Sequence, residues 1–160
     1  MGLSHFDKKG NAIMVDVTDK NISKREAIAC GTIIVNDDIL DHIKNKSVKK
    51  GDVLNVARIA GIMAVKKTSD TIPMCHPLMI THSSIEFEIL EETSSIKAVC
   101  TVATDGKTGV EMEALNGTLA ALLTIFDMCK AIDKNMCISD CYVLKKTGGK
   151  SGEFIHSRKT

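Results

Sequence analysis

Residues 106–134, GKTGVEMEALNGTLAALLTIFDMCKAIDK, constrain the fold more than any other stretch, because they read as one long helix with chemistry at both ends. Lys107-Thr108-Gly109 makes a turn or cap ahead of it. Val110, Ala114, Leu115, Leu119, Leu122, Leu123, Phe126 and Cys129 then recur at helical spacing, which predicts one apolar face. Glu111 and Glu113 fall in the first turns, where the helix dipole favours a carboxylate. At about 100° per residue, Glu113, Asn116, Gly117, Ala120, Thr124, Asp127 and Ala131 share a second stripe. It has an acid at each end, small residues between, and Lys130 one turn on from Asp127. The plain reading is a solvated face with an ion pair worth a few tenths of a kcal/mol. Solvated faces usually carry Lys, Glu and Gln, however. Gly, Ala and Thr predict something packed closely there, either another backbone or a ligand.

Such a helix needs a core, and 160 residues with 44% in the hydrophobic set suffice for one compact domain spanning 1–160. Residues 1–12 read as a loose N-terminal arm, and Ala12–Val17 as a segment lying along a surface. Ser23–Val35 ends in Thr-Ile-Ile-Val and reads as a strand. Asn36 or Asp37 can cap a short helix over Asp38–Asn45, with Ile39, Leu40 and Ile43 inward. A basic loop, Lys44–Gly51, follows. Asp52 is an N-cap for a second helix, Val53–Lys67, whose buried stripe is predicted as Val53, Val56, Ala57, Ala60, Met63 and Ala64. Leu78–Leu90 alternates, with Ile85, Phe87 and Ile89 on one side, and pairs through a turn with Ile96–Thr104. Met136–Lys145 is a last strand, and residues 147–160 are expected to be a mobile C-terminal tail. The order β, α, α, β-β, α, β predicts an α+β, ferredoxin-like sandwich: an antiparallel sheet with helices on one face.

Thr68–Pro77, TSDTIPMCHP, holds the only two prolines of the chain, and they bracket Met-Cys-His. Proline restrains itself and its predecessor, so Ile72 and His76 are predicted extended. The segment is a rigid connection or a site wall. Adjacent Cys75 and His76, and Cys137-x3-Cys141, lack the spacing of a zinc site. The six cysteines lie mostly in periodic apolar segments, and Met1–Asn11 has no apolar leader core, so reduced thiols in the cytoplasm are expected. Apolar runs in the long helix fall short of the roughly 20 residues a bilayer needs. A net charge of +1, with one Tyr and no Trp, gives no footprint for nucleic acid.

Charges are instead clustered: Lys49-Lys50, Lys66-Lys67, Lys145-Lys146 and Lys150 against Glu111, Glu113 and Asp127. Lysines suit phosphate as point charges. A pocketed carboxylate accepts paired N–H donors such as a guanine or pterin edge offers. An Asp-Lys pair on a helix can exchange protons. The residues alone support an enzyme acting on a phosphorylated ligand.

The stretches MVDVTDK (14–20), KREAIACG (24–31), KGDVLNVARIAGIMAVKKTSDTIPMCHPLMI (50–80), GKTGVEMEAL (106–115), LTIFDMCKAIDK (123–134) and GGKSGEF (148–154) resemble the cyclic pyranopterin monophosphate synthase family, the molybdenum cofactor biosynthesis protein C family, in colinear order over nearly the whole chain. The resemblance implies a cytoplasmic lyase-type enzyme that converts 3′,8-cyclo-7,8-dihydro-GTP to cyclic pyranopterin monophosphate and diphosphate. It implies a ferredoxin-like homohexamer, a trimer of dimers, with sites at dimer interfaces. It implies no redox cofactor. The residues themselves offer no evident metal-ligand set, and Mg²⁺ is left as a candidate companion of the triphosphate. Carried over by motif, Asp127, Lys130 and Lys50 would be the catalytic acid/base group. Met74, Cys75, His76, Glu111, Met112 and Glu113 would bind substrate, and Lys66 and Lys146 would meet the triphosphate. Asn116-Gly117-Thr118-Leu119 departs from the Thr, Ala, Val and Ser mixture of many members, which bears on subunit packing. The rival from another class is a non-catalytic nucleotide-binding regulatory module, which would have no need of Asp127 beside Lys130.

Overall fold

The computed structural model describes residues 7, 9–49 and 51–157. Strand β1 (Ser23–Ile34) runs through the middle of a five-stranded sheet. Asn36 then caps α1 (Asp37–Lys44), its side chain accepting from Ile39 N–H at 2.9 Å, and Ile39, Leu40 and Ile43 turn into the core. Asp52 caps α2 (Val53–Lys66) in the same way, through Asn55 N–H at 3.2 Å. A four-residue turn, α3 (Thr68–Thr71), leads to Ile72, which is extended as its proline neighbour requires. The hairpin β2 (His82–Leu90) and β3 (Ser95–Gly106) closes through Ser94 in the left-handed region. Helix α4 (Glu111–Cys129) and strand β4 (Cys137–Thr147) complete the predicted order.

The sheet order is β2-β3-β1-β4, the ferredoxin-like arrangement, with one further strand beyond β4, and it is antiparallel throughout. The added strand β5 (Phe154–Ile155) lies in the segment expected as a tail and pairs with β4 at Lys145 and Lys146. Ala29 faces Cys100 on one side and Val143 on the other, and Cys100 faces Ile85. That row meets α4 and α2 to form the core with Ile33, Ile96, Val102, Leu122 and Ile125, all fully or almost fully buried.

Two helix faces differ from the sequence expectation. On α2 the buried positions are Val53, Ala57, Gly61 and Val65, while Val56 and Met63 are exposed. On α4 the buried set is Glu113, Ala114, Gly117, Thr118, Ala121, Leu122, Ile125, Met128 and Cys129, while Leu119 and Leu123 face outward. The cause is a close crossing. A Cβ on Gly61 would stand 2.8 Å from the Gly117 carbonyl, and one on Gly117 would stand 3.3 Å from that of Gly61. Backbones that touch must meet at residues without side chains, so both helices rotate to bring glycine to glycine. The small-residue stripe of α4 is therefore partly a helix contact, and a neighbouring backbone, not a ligand, fills it at Gly117.

By length and composition α4 would qualify as a membrane span, but half of it is buried within the domain, as a core helix is. All six cysteines are free thiols.

Candidate active site

Two motifs far apart in sequence form one cavity. Its volume is about 270 Å³, and Met74, Cys75, His76 and Leu78 line one side while Thr108, Gly109, Glu111, Met112 and Glu113 line the other. Val15, Val17 and Lys20 of the N-terminal segment close it. All six residues expected to bind substrate by motif thus share one cavity.

Local structure explains how each wall is held. Beyond the proline-bracketed turn, Thr104 donates to the Met79 carbonyl at 2.6 Å and Thr81 to that of Ala103 at 3.0 Å, pinning the segment after His76 to β3. Opposite, Arg25 donates to the Gly106 and Lys107 carbonyls at 3.1 and 3.2 Å and fixes the loop that enters α4. Lys107 in turn donates to the Thr18 carbonyl at 2.5 Å, tying the N-terminal segment across the cavity. Gly109 leaves room for the Glu111 carboxylate, which folds back to the place a Cβ would take.

The electrostatics separate the two glutamates. Glu113 is only 4% exposed, and burial, reinforced by the Glu111 charge, pushes its carboxyl above the usual glutamate range, although its own backbone N–H opposes the shift. Burial and the neighbouring Glu113 also push the Cys75 thiol up. A carboxyl held toward its neutral form can donate a hydrogen bond as well as accept one. The cavity therefore offers mixed donors and acceptors to a flat polar edge.

Cationic hollows adjoin it on both sides. Lys20 also lines a larger one of about 690 Å³ with Asp19, Asn21, Ser23, Arg25, Gly149, Lys150 and Ser151. Lys146 reaches it by a hydrogen bond to Ser151. Across Leu78 lies a hollow of about 330 Å³ that Lys66 lines with residues 79–83. Lys20 and Arg25 were given no role from the sequence, though both sit in the quoted MVDVTDK and KREAIACG stretches. In sequence Lys20 stands between Asp19 and Asn21, and the Lys24-Arg25 pair lies within a segment that reads as a strand, so neither appears as a basic cluster.

The remaining expected residues lie elsewhere. Asp127 and Lys130 form an ion pair at 2.6 Å, with side chains 61% and 51% exposed, at the far end of α4. Fourteen positions separate Glu113 from Asp127, which at 1.5 Å per residue is about 21 Å. Beside the pair is a mostly apolar hollow of about 470 Å³ lined by His42, Ser47, Val48, Lys49, Met128, Ala131 and Ile132. Lys50 lies outside the described residues. Within one chain the Asp127-Lys130 pair and the cavity lined by Glu113 are therefore two separate places. Among the described residues no group of three His, Cys, Asp or Glu side chains is placed to hold a metal ion.

A model described as the MoaC family matches residues 14–149. The chain is 59% identical over 152 residues to a cyclic pyranopterin monophosphate synthase of Clostridium perfringens (strain SM101 / Type A), covering 95% of this chain and 96% of that protein. It is 58% identical over 153 residues to the protein of that name from Clostridium botulinum (strain Alaska E43 / Type E3), covering 96% of each. With the corresponding Heliobacterium modesticaldum protein the identity is 52% over 153 residues, again covering 96% of each.

Proposed function

The chain belongs to the MoaC family, and from that premise we propose that it is a cyclic pyranopterin monophosphate synthase of molybdenum cofactor biosynthesis, converting 3′,8-cyclo-7,8-dihydro-GTP to cyclic pyranopterin monophosphate and diphosphate. The observation that carries the reading is the single cavity in which Met74-Cys75-His76 meets Glu111-Met112-Glu113. There the purine-derived edge lies against Glu111, Glu113 and His76. Its triphosphate runs past Lys20 into the hollow of Arg25, Lys150 and Lys146, with Lys66 on the opposite flank.

The lyase step closes a cyclic phosphate. A substrate hydroxyl loses its proton, its oxygen bonds to the α-phosphorus, and the bond from that phosphorus to the bridging oxygen breaks, releasing diphosphate. A base takes the proton, and cations stabilise the departing anion. Asp127, Lys130 and Lys50 supply the acid/base set. The conversion involves no net oxidation or reduction, so its chemistry calls for no redox cofactor.

Because Asp127 and Lys130 stand about 21 Å along the helix from Glu113, the complete site takes its binding wall from one copy and its acid/base pair from another. Assembly also removes water from a pair that is exposed in the single chain. The outward apolar residues Val56, Ile59 and Met63 of α2 and Leu119 and Leu123 of α4 give a second copy surface to bury. The family resemblance extends this proposal to a homohexamer built as a trimer of dimers, in the cytoplasm.

The test is diphosphate release from the cyclic dihydro-GTP by the wild type beside Asp127→Asn and Lys130→Ala. Release by the wild type, with losses of about 10²–10⁴-fold in the variants, supports the synthase. Tight binding by all three with no release would favour a nucleotide-binding regulatory module.

A further inference from the structure

The two walls of the cavity belong to different parts of the fold, and one polar side chain joins them. Asn116 lies one turn beyond Glu113 on α4. Its side-chain amide donates to the Ala64 carbonyl at 2.9 Å and to the Thr68 hydroxyl at 3.2 Å. Thr68 is 1% exposed, and its own hydroxyl is set against the carbonyls of Ala64 and Val65 at 3.2 and 3.1 Å. This is the corner where α2 ends and α3 begins. From there a short relay reaches the site: Ile72 N–H donates to the Thr68 carbonyl at 2.8 Å, and Cys75 N–H to that of Ile72 at 3.0 Å. Pro73 and Pro77 stiffen the same stretch. The neighbouring residues of the α2–α4 crossing (Gly61, Val65, Gly117 and Ala121) have no polar side chains with which to set this register.

We propose that Asn116 is a positioning residue, which latches the α2–α3 corner to α4 through Thr68 and Ala64 and so sets the Met74-Cys75-His76 wall against Glu113. The far end of that wall is fixed independently at Met79 and Thr81. Freeing the Asn116 end therefore lets the wall swing without unfolding it. The substrate arm of the test rests on the function proposed above; a labelling arm does not.

Asn116→Leu keeps the bulk and removes the donor, and Thr68→Val removes the hydroxyl at the other end of the latch within a buried site. Both variants and the double variant are checked for folding by thermal melting. Each is then alkylated with iodoacetamide, and the rates at Cys75 and at exposed Cys137 are read by mass spectrometry. Cys75 should label about two- to tenfold faster, the range that loss of one hydrogen bond allows, with Cys137 unchanged. KM for the cyclic dihydro-GTP should rise by a similar factor with kcat within about twofold, and the double variant should be no worse than the poorer single one. Wild-type labelling at Cys75 in a folded variant overturns the latch, and so does a fall in kcat at unchanged KM. If the wild type releases no diphosphate, the proposed function fails while the labelling rates still decide the latch.

Discussion

Pairing two inactive variants tests the two-copy site directly. Glu113→Gln damages the binding wall, and Asp127→Asn removes one member of the acid/base pair at the other end of α4. Neither side chain can close the distance of about 21 Å that the helix sets between them. If each site draws on two copies, a mixed oligomer contains some sites with an intact wall from the Asp127→Asn chain and an intact pair from the Glu113→Gln chain. In a random equal mixture each contribution is intact in half the cases, so roughly a quarter of sites recover, whatever the size of a symmetric assembly. The two variants are produced with different tags, co-expressed, and purified on both. Diphosphate release is then compared with each parent and with doubly tagged wild type. Recovery near a quarter after correction for the purified fraction supports the shared site. Activity no higher than that of the parents, in oligomers shown by mass to contain both chains, refutes it and returns the chemistry to a single chain.

Other outcomes follow from the same geometry. Gly61→Ala gains about 1 kcal/mol of helix propensity but places a methyl 2.8 Å from the Gly117 carbonyl and against buried Ile85. Overpacking costs of about 1–3 kcal/mol should outweigh the gain, and Tm should fall by a few degrees in a thermal melt. Glu113 holds its proton to higher pH folded than unfolded, so its contribution is intact below the usual glutamate range and lost as pH rises through the raised folded value. The Tm difference between Glu113→Gln and wild type should therefore grow from about pH 4 to about pH 8; a flat difference contradicts the assigned shift. Lys20→Met removes a cation common to the central cavity and the larger hollow. KM for the triphosphate substrate should rise about tenfold, the loss expected for one charge-assisted contact, and the increase should shrink in high salt. An unchanged KM would move the phosphates off that flank.

Much of the fold is legible because its local signals agree. Asn36 and Asp52 are capping residues and do cap, Ile85-Phe87-Ile89 alternates and does form a strand, and Ile72 precedes proline and is extended. What could not be read was the rotation of α2 and α4. Periodicity places an apolar residue on a stripe but cannot say whether a sheet, a neighbouring helix or a second copy covers it. Leu119 and Leu123 fit the apolar stripe and face outward, while Gly117 and Glu113 fit the polar one and are buried. The cavity was legible only as motif membership. That Cys75 and Glu113 share a cavity depends on tertiary placement, as does the part Lys20 plays across a turn of the N-terminal segment. Asn116 was visible as a departure from the family pattern, but its partners Ala64 and Thr68 were not.

The distance along α4 from Glu113 to Asp127 is also an angle. Fourteen positions at about 100° each bring Asp127 back to within about 40° of the bearing of Glu113. Helix α4 is thus a shaft with two fittings at nearly the same bearing. Deleting one exposed residue midway, such as Leu119, would shorten it by only about 1.5 Å but would turn one fitting by about 100° relative to the other. Two copies that dock through fixed faces tolerate the small shortening far better than the turn. The spacing between the motifs of this helix is therefore held by phase as well as by length.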